Sequence, residues 1–310
     1  MRKTCVDMVY TLAKRDPRVV FIGSDLSPGL LDDMKAEMPD HHYMEGVMEA
    51  NVIGMAAGMA MDGYMPFVNT IATFITRRCY EQVALDLCLH DLPVRLIGNG
   101  GGLVYAPLGP THLAIEDMAI MRALPNMTVT AVADADEMVR LMEASLDWPH
   151  PIYMRLAKGG DPIVSDAARG FEIGKAIAMR ETGASDGVLI VATGVMTNRA
   201  LTAADMLEAD GIACEVLHVH TVKPLDHEAI LRMASRARLV VIVEEHTIVG
   251  GLGSAVTDVL VENPPTPMPT IRRLGIPDRF AVNYGVQDDL LEIYGLQPAQ
   301  IARSITDSLK

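Results

Sequence analysis

Glu49 heads the stretch Glu45-Gly-Val-Met-Glu49-Ala-Asn-Val-Ile-Gly-Met-Ala-Ala-Gly-Met-Ala-Met61, which carries no charge after it. Helical spacing sets Glu49 above Ile53, Ala56 and Ala60, on a face that a fold would bury. A carboxylate taken out of water must be paired, protonated or given a task. The same position suits a first-turn acid that complements the helix dipole, and on this residue alone both readings stay open. Three loops add candidates: Gly23-Ser-Asp-Leu-Ser-Pro-Gly29 with Asp25, Asn69-Thr-Ile-Ala-Thr-Phe74 with Phe74, and Gly98-Asn-Gly-Gly-Gly102 running on to Pro107-Leu-Gly-Pro-Thr-His112. His112 is held by a stiff loop, where a histidine serves catalysis or merely meets solvent.

The elements that position these residues follow from pattern. Short β-branched runs at Val19–Gly23, Met65–Val68, Val94–Gly98, Met127–Ala131 and Ile152–Arg155 predict one set of strands. Gly187–Ala192, Ala213–His218, Leu239–Val243 and Thr270–Leu274 predict a second. Helices are expected near Thr4–Lys14, Glu49–Met61, Phe74–Leu89, Ile115–Ala123, Asp134–Asp147, Asn198–Ala209, His227–Ser235, Gly253–Val261 and Pro298–Leu309. This alternation predicts an α/β fold of two domains, each a mostly parallel, helix-flanked sheet. The three loops then fall at carboxyl ends of strands, the ligand side of such sheets. The stretch 158–172, rich in Gly, Pro and small polar residues, is the expected linker between domains 1–157 and 173–310.

Glycine motifs give little on their own. The triple glycine lets backbone approach a ligand closely, but no GxGxxG follows the first strand and no Walker lysine is present. Gly250-Gly-Leu-Gly-Ser254 opens a helix at spacing that does not fit a dinucleotide fingerprint, so tight strand–helix packing is its expected role. Four scattered cysteines form no zinc pattern and read as reduced thiols. The net charge of −14 argues against a nucleic-acid or anionic-membrane surface. No signal-peptide core or membrane-length apolar run is seen, and the expected location is cytoplasmic.

Taken in order, these motifs resemble the carboxyl-terminal half of a transketolase, specifically the smaller subunit of a split transketolase. The resemblance covers essentially the whole chain. It is carried by Gly23-Ser-Asp-Leu26, Met48-Glu-Ala-Asn-Val-Ile-Gly-Met-Ala-Ala-Gly58, Pro66-Phe-Val-Asn-Thr-Ile-Ala-Thr-Phe74, Tyr80-Glu-Gln-Val83, Gly109-Pro-Thr-His112, Glu116-Asp-Met-Ala-Ile-Met-Arg-Ala-Leu-Pro-Asn126 and Glu244-Glu-His-Thr-Ile-Val-Gly-Gly-Leu-Gly-Ser254. It implies a pyrimidine-binding domain over 1–157 for thiamine diphosphate, followed by the family's carboxyl-terminal domain. By resemblance, Glu49 is the glutamate that hydrogen-bonds the aminopyrimidine N1′ and so helps its 4′-nitrogen take the thiazolium C2 proton. Phe74 would stack on the pyrimidine, Asp25 would lie near the cofactor network, and His112 would hydrogen-bond substrate oxygens. Arg2 and Arg155 align with arginines that grip a substrate phosphate.

Departures shape the expected substrate. Leu108 stands where the family often has an acid, glycines near Gly100 and Gly29 replace a histidine and a serine, and Ile71 replaces an aromatic. This thinner anion site speaks against a ketose phosphate of the common pentose pathway and leaves open a sulfonated sugar, a branched or deoxy sugar phosphate, or an antibiotic-pathway ketose. No Gly-Asp-Gly…Asn element for Mg²⁺ and diphosphate is present, so no metal ligands are expected here. The resemblance places them on an amino-terminal partner subunit in an α2β2 assembly. The implied activity is two-carbon ketol transfer from a ketose to an aldose. Its alternatives are a 2-oxoacid dehydrogenase β subunit and a non-catalytic assembly subunit.

Overall fold

The computed structural model describes residues 1–24, 26 and 29–310. Strands β1 (Val19–Gly23), β2 (His42–Met44), β3 (Met65–Ile71), β4 (Arg95–Asn99), β5 (Thr128–Ala131) and β6 (Ile152–Leu156) form a parallel sheet in the order 5-6-4-3-1-2. β1 and β3 to β6 are buried throughout or nearly so, as expected where helices cover both faces of a parallel sheet. In the second sheet, β7 (Ile177–Arg180), β8 (Gly187–Ala192) and β9 (Cys214–His218) precede β11 (Ala237–Thr247) and β12 (Thr270–Ile276), in the order 12-11-8-9-7 with β7 antiparallel.

β10 (Thr221–Lys223) lies late in the chain yet closes the first sheet, antiparallel to β5. The two sheets therefore share more than a connecting segment. One apolar cluster runs from Ile53 and Val83 through Val129 and Val222 to Leu189, Ile242 and Val256. The stretch expected to link the domains is itself anchored, because Asp134 accepts hydrogen bonds from Val164 N, Ser165 N and Ser165 Oγ at 2.7–2.8 Å.

All nine expected strands are found, and the helix Glu49–Met61 has the expected bounds. The expected helix over Phe74–Leu89 is instead three pieces: Ala72–Thr76, Tyr80–Gln82 and a π-helical Val83–Leu89, with a turn at 77–79. Side chains compete for its carbonyls at that break: Thr76 Oγ1 donates to Ala72 O, and the Cys79 thiol reaches Phe74 O and Ile75 O. Irregular helix of this kind often accompanies a functional site.

Candidate active site

Glu49 begins its helix after Met48, which makes no side-chain cap, so its charge stands in the first turn, at the positive end of the helix dipole. Only 4% of the residue is exposed. Its charge is met by Arg78, whose Nη1 lies 2.8 Å from Glu49 Oε2 while the arginine side chain stays 45% exposed. The Arg78 guanidinium also covers the Phe74 ring, its central carbon 4.1 Å from the ring centroid. Phe74 in turn meets the His112 ring edge-on at 5.2 Å. Glu49, Arg78, Phe74 and His112 thus form a continuous string, three of them expected and one not.

His112 is placed from both sides. Its Nδ1 is 2.9 Å from Thr111 Oγ1. Arg77 grips the backbone of the same loop, donating from Nη2 to Thr111 O at 3.2 Å and Leu113 O at 3.4 Å, and pairs with Glu116 at 3.0 Å. Burial raises the Glu116 carboxyl above the usual range, and Arg77 opposes that rise. Below the string, at the carboxyl ends of β3 and β4, Asn99 Nδ2 donates to Asn69 Oδ1 at 2.7 Å and Thr70 O at 2.9 Å. Asn69 Nδ2 and Asn99 Oδ1 are buried without a hydrogen-bond partner among the described residues. Cys79, beside this site, has its thiol pushed up to about 12 by burial and then by the Glu49 charge, so it is not a nucleophile at neutral pH.

Other expected residues fall elsewhere. Asp25 lies outside the described residues. Arg2 sits beside the Tyr105 phenol, whose pKa burial raises and Arg2 partly restores. Arg155 does not join the string. Its Nε pairs with Asp117 Oδ2 at 2.8 Å, and its Nη2 donates to Glu245 O at 2.8 Å and Ala114 O at 3.2 Å. Tyr153 completes the Asp117 cluster with a 2.7 Å hydrogen bond. Burial opposes the Arg155 charge, but Asp117, Glu245 and Tyr153 reverse this and hold its pKa above the ordinary value. A guanidinium so enclosed braces the two sheets, and the structure does not bring it to the string of Glu49, Arg78, Phe74 and His112.

The triple glycine is likewise occupied by protein. A Cβ at Gly100 would strike the Tyr105 ring, one at Gly101 the Arg155 side chain, and one at Gly102 the Glu245 carboxylate. Side chains, not a ligand, take the space these glycines leave. Gly251 and Gly253 give the same room to Glu244, which accepts from Leu252 N and Gly253 N and caps the helix Leu252–Glu262. This matches the packing role expected for that motif. Among the described residues no group of three or more His, Cys, Asp or Glu could hold a metal ion, and no helix is long and apolar enough to cross a membrane.

Arg77 and Arg78 escaped the sequence reading, although a signal was present. They are the only Lys or Arg residues between Lys35 and Arg95, placed together just after the Phe74 loop.

Comparison with known proteins extends this geometry. The transketolase pyrimidine-binding domain matches residues 1–160, and the transketolase C-terminal domain matches residues 174–301. The 6-deoxy-6-sulfo-D-fructose transketolase subunit SqwH of Clostridium sp. (strain MSTE9) is 38% identical over 305 residues, covering 98% of this chain and 92% of its own length. A 1-deoxy-D-xylulose-5-phosphate synthase of Synechococcus sp. (strain JA-2-3B'a(2-13)) is 37% identical over 299 residues, 95% of this chain but 45% of its own, so this chain spans about half of that enzyme. Among solved structures, a split gene transketolase described as an inactive beta4 tetramer superposes with a TM-score of 0.90 at 35% identity, covering 99% of this chain and 97% of its own. A transketolase mutant from Pichia stipitis, 20% identical with a TM-score of 0.81, shares the fold over 99% of this chain and 45% of its own length.

Proposed function

This chain belongs to the transketolase family, and from that premise we propose that it is the smaller subunit of a two-component, thiamine-diphosphate-dependent transketolase. The reaction is transfer of a two-carbon ketol unit from an anionic ketose to an aldose. The observation that carries the reading is the buried Glu49 beside an aromatic face and a loop histidine. Those residues fit an aminopyrimidine. The Arg78 guanidinium, a flat N–H donor, already lies against the Glu49 carboxylate and over the Phe74 ring, so the site accepts that shape and polarity. Glu49 would hold a proton at the pyrimidine N1′, and Phe74 would orient the ring by stacking. When bound, thiamine diphosphate supplies the electron sink for making and breaking the carbon–carbon bond. His112 would hydrogen-bond substrate oxygens and move a proton at them. Asp25 is proposed near the cofactor, and Arg2, beside Tyr105, as an expected contact for a substrate anion.

The diphosphate half of the site and its Mg²⁺ are assigned to a partner subunit in an α2β2 heterotetramer. Support comes from the outward face of the Glu49–Met61 helix. Asn51, Gly54, Gly58 and Met61 lie along it exposed and uncharged, with Val47, Met48, Leu85 and Leu89 exposed nearby. A solvated helix face ordinarily carries charge, whereas an apolar one beside a site marks a contact surface. The relatives' names point to a sulfonated or phosphorylated ketose, and the reaction is placed in cytoplasmic carbohydrate metabolism.

Co-purifying the chain with the product of its neighbouring gene and titrating thiamine diphosphate and Mg²⁺ tests the reading. Binding by the pair alone, followed by ketose cleavage with an aldose acceptor, is expected. Binding by this chain alone would overturn the split-site assignment. Carbon dioxide release from pyruvate in place of ketose cleavage would move the enzyme to the synthase side of the family.

A further inference from the structure

Two contacts assigned above to the pyrimidine are already made by one side chain. Arg78 donates to Glu49 Oε2 at 2.8 Å and lies 4.1 Å over the Phe74 ring. No second planar group fits between the guanidinium and the ring, and the cofactor and Arg78 cannot use this face together. We propose that Arg78 is a built-in placeholder: in the free chain it holds the pyrimidine's place on Glu49 and Phe74, and it swings out when the cofactor binds. The inference rests on the proposed cofactor site and says how that site survives unfilled.

Three features argue for a placeholder over an ordinary ion pair. First, Glu49 is 4% exposed, so a chain that carries only half of a shared site needs something to face that carboxylate before partner and cofactor arrive. Secondly, the Arg78 side chain is 45% exposed, so its head returns to water at little desolvation cost, unlike the enclosed Arg155. Thirdly, Arg78 stands on the turn at 77–79, where the helix is interrupted. Arg77 next to it is engaged with the loop 111–113 and Glu116, so Arg78 is the arginine of the pair free to exchange partners without moving His112.

Isotope-labelled full-length chain provides the direct test, alone and then in complex with its partner subunit, with thiamine diphosphate and Mg²⁺ as the probe. In the free chain the Arg78 side-chain Nε–H resonance, identified by its loss in Arg78→Lys, should carry a ring-current shift from Phe74. Adding thiamine diphosphate and Mg²⁺ to the complex should move it to the position of a solvated arginine. By calorimetry, the Arg78→Met complex should bind the cofactor about fivefold more tightly than wild type, because a half-exposed ion pair and a ring contact no longer have to be given up. Arg78→Lys, which keeps the charge but not the plane, should show a smaller gain. An unmoved resonance on binding, or equal or weaker binding by Arg78→Met, overturns the placeholder while leaving the cofactor site standing. Failure of every complex, wild type included, to bind thiamine diphosphate overturns both.

Discussion

Replacing Arg155 separates its two possible duties. The side chain is 7% exposed and its partner Asp117 is fully buried, with the charged atoms 2.8 Å apart. Removing one member of such a pair strands the other charge and costs about 3–5 kcal/mol. The lower end applies to Asp117→Asn, because Arg155 keeps its hydrogen bonds to Glu245 O and Ala114 O. Arg155→Met leaves Asp117 with Tyr153 at 2.7 Å and His246 at 4.0 Å, and it deprives buried Glu245 of the cation that opposes its burial. A loss of about 3 kcal/mol is therefore expected from each single change, roughly a 5 °C fall in Tm for a chain of this size. Asp117→Asn combined with Arg155→Met removes both charges at once. Its cost should fall short of the summed singles by about 2 kcal/mol, a coupling readable in a double-mutant cycle. Chemical and thermal unfolding of the four proteins, followed by circular dichroism, makes the measurement. Should Arg155→Met unfold with the wild type and show only a raised KM for anionic sugars, Arg155 is a ligand residue rather than a brace.

Glu49→Gln should lower ketol transfer by about a hundredfold or more while complex formation, read by gel filtration, is unchanged; surviving activity would remove Glu49 from catalysis. Arg77→Ala releases the backbone of residues 111–113, and about a tenfold fall in kcat/KM is expected from the loss of His112 placement. Unaltered kinetics would show that the loop is held by other means. Gly102→Ala pushes a Cβ to 2.6 Å from the buried Glu245 carboxyl carbon at a backbone φ of +69°, and should destabilise by about 2–4 kcal/mol without altering cofactor affinity. A folded, stable variant with weakened cofactor binding would return the glycines to a ligand role. His220 is held down to about 3 by burial and then by His218, whereas unfolded histidine titrates near 6.5. Between those values the unfolded chain binds the extra proton, so stability is full above pH 6.5 and falls with pH, by about 2 kcal/mol at pH 5. His220→Gln should flatten that part of the Tm–pH curve, and an unchanged slope would show that other groups set it.

Much of this molecule could be read locally, and what could not has a common cause. The predicted strands β1, β4, β6 and β8 are short, mainly apolar runs buried along nearly their whole length, so their signal is complete within five or six residues, whereas β12, with Arg272 and Arg273 and a largely exposed edge, rests on its β-branched residues alone. The apolar helix behind Glu49 is equally self-contained. β10 is three residues long and is a strand only because β5, some ninety residues earlier in the chain, offers an edge. The roles of Arg155 and the triple glycine depend on Glu245, which the second sheet brings to them.

The helix break at 77–79 shows the same limit at the site itself. A regular helix from Phe74 would carry Arg78 one turn on from the aromatic, at a spacing that suits a ring contact but leaves Glu49 to chance. The observed turn, followed by π-helix, lets consecutive arginines part company, Arg77 toward the His112 loop and Arg78 toward Glu49. One local irregularity thus serves both ends of the string from Glu49 to His112. Straightening the segment should disturb the two together: a variant that restores regular helix through 77–79 would loosen His112 and strip Glu49 of its cation in a single step. If helix content rose in such a variant while both the Arg78 resonance and kcat/KM stayed at wild-type values, the break would be incidental to the site.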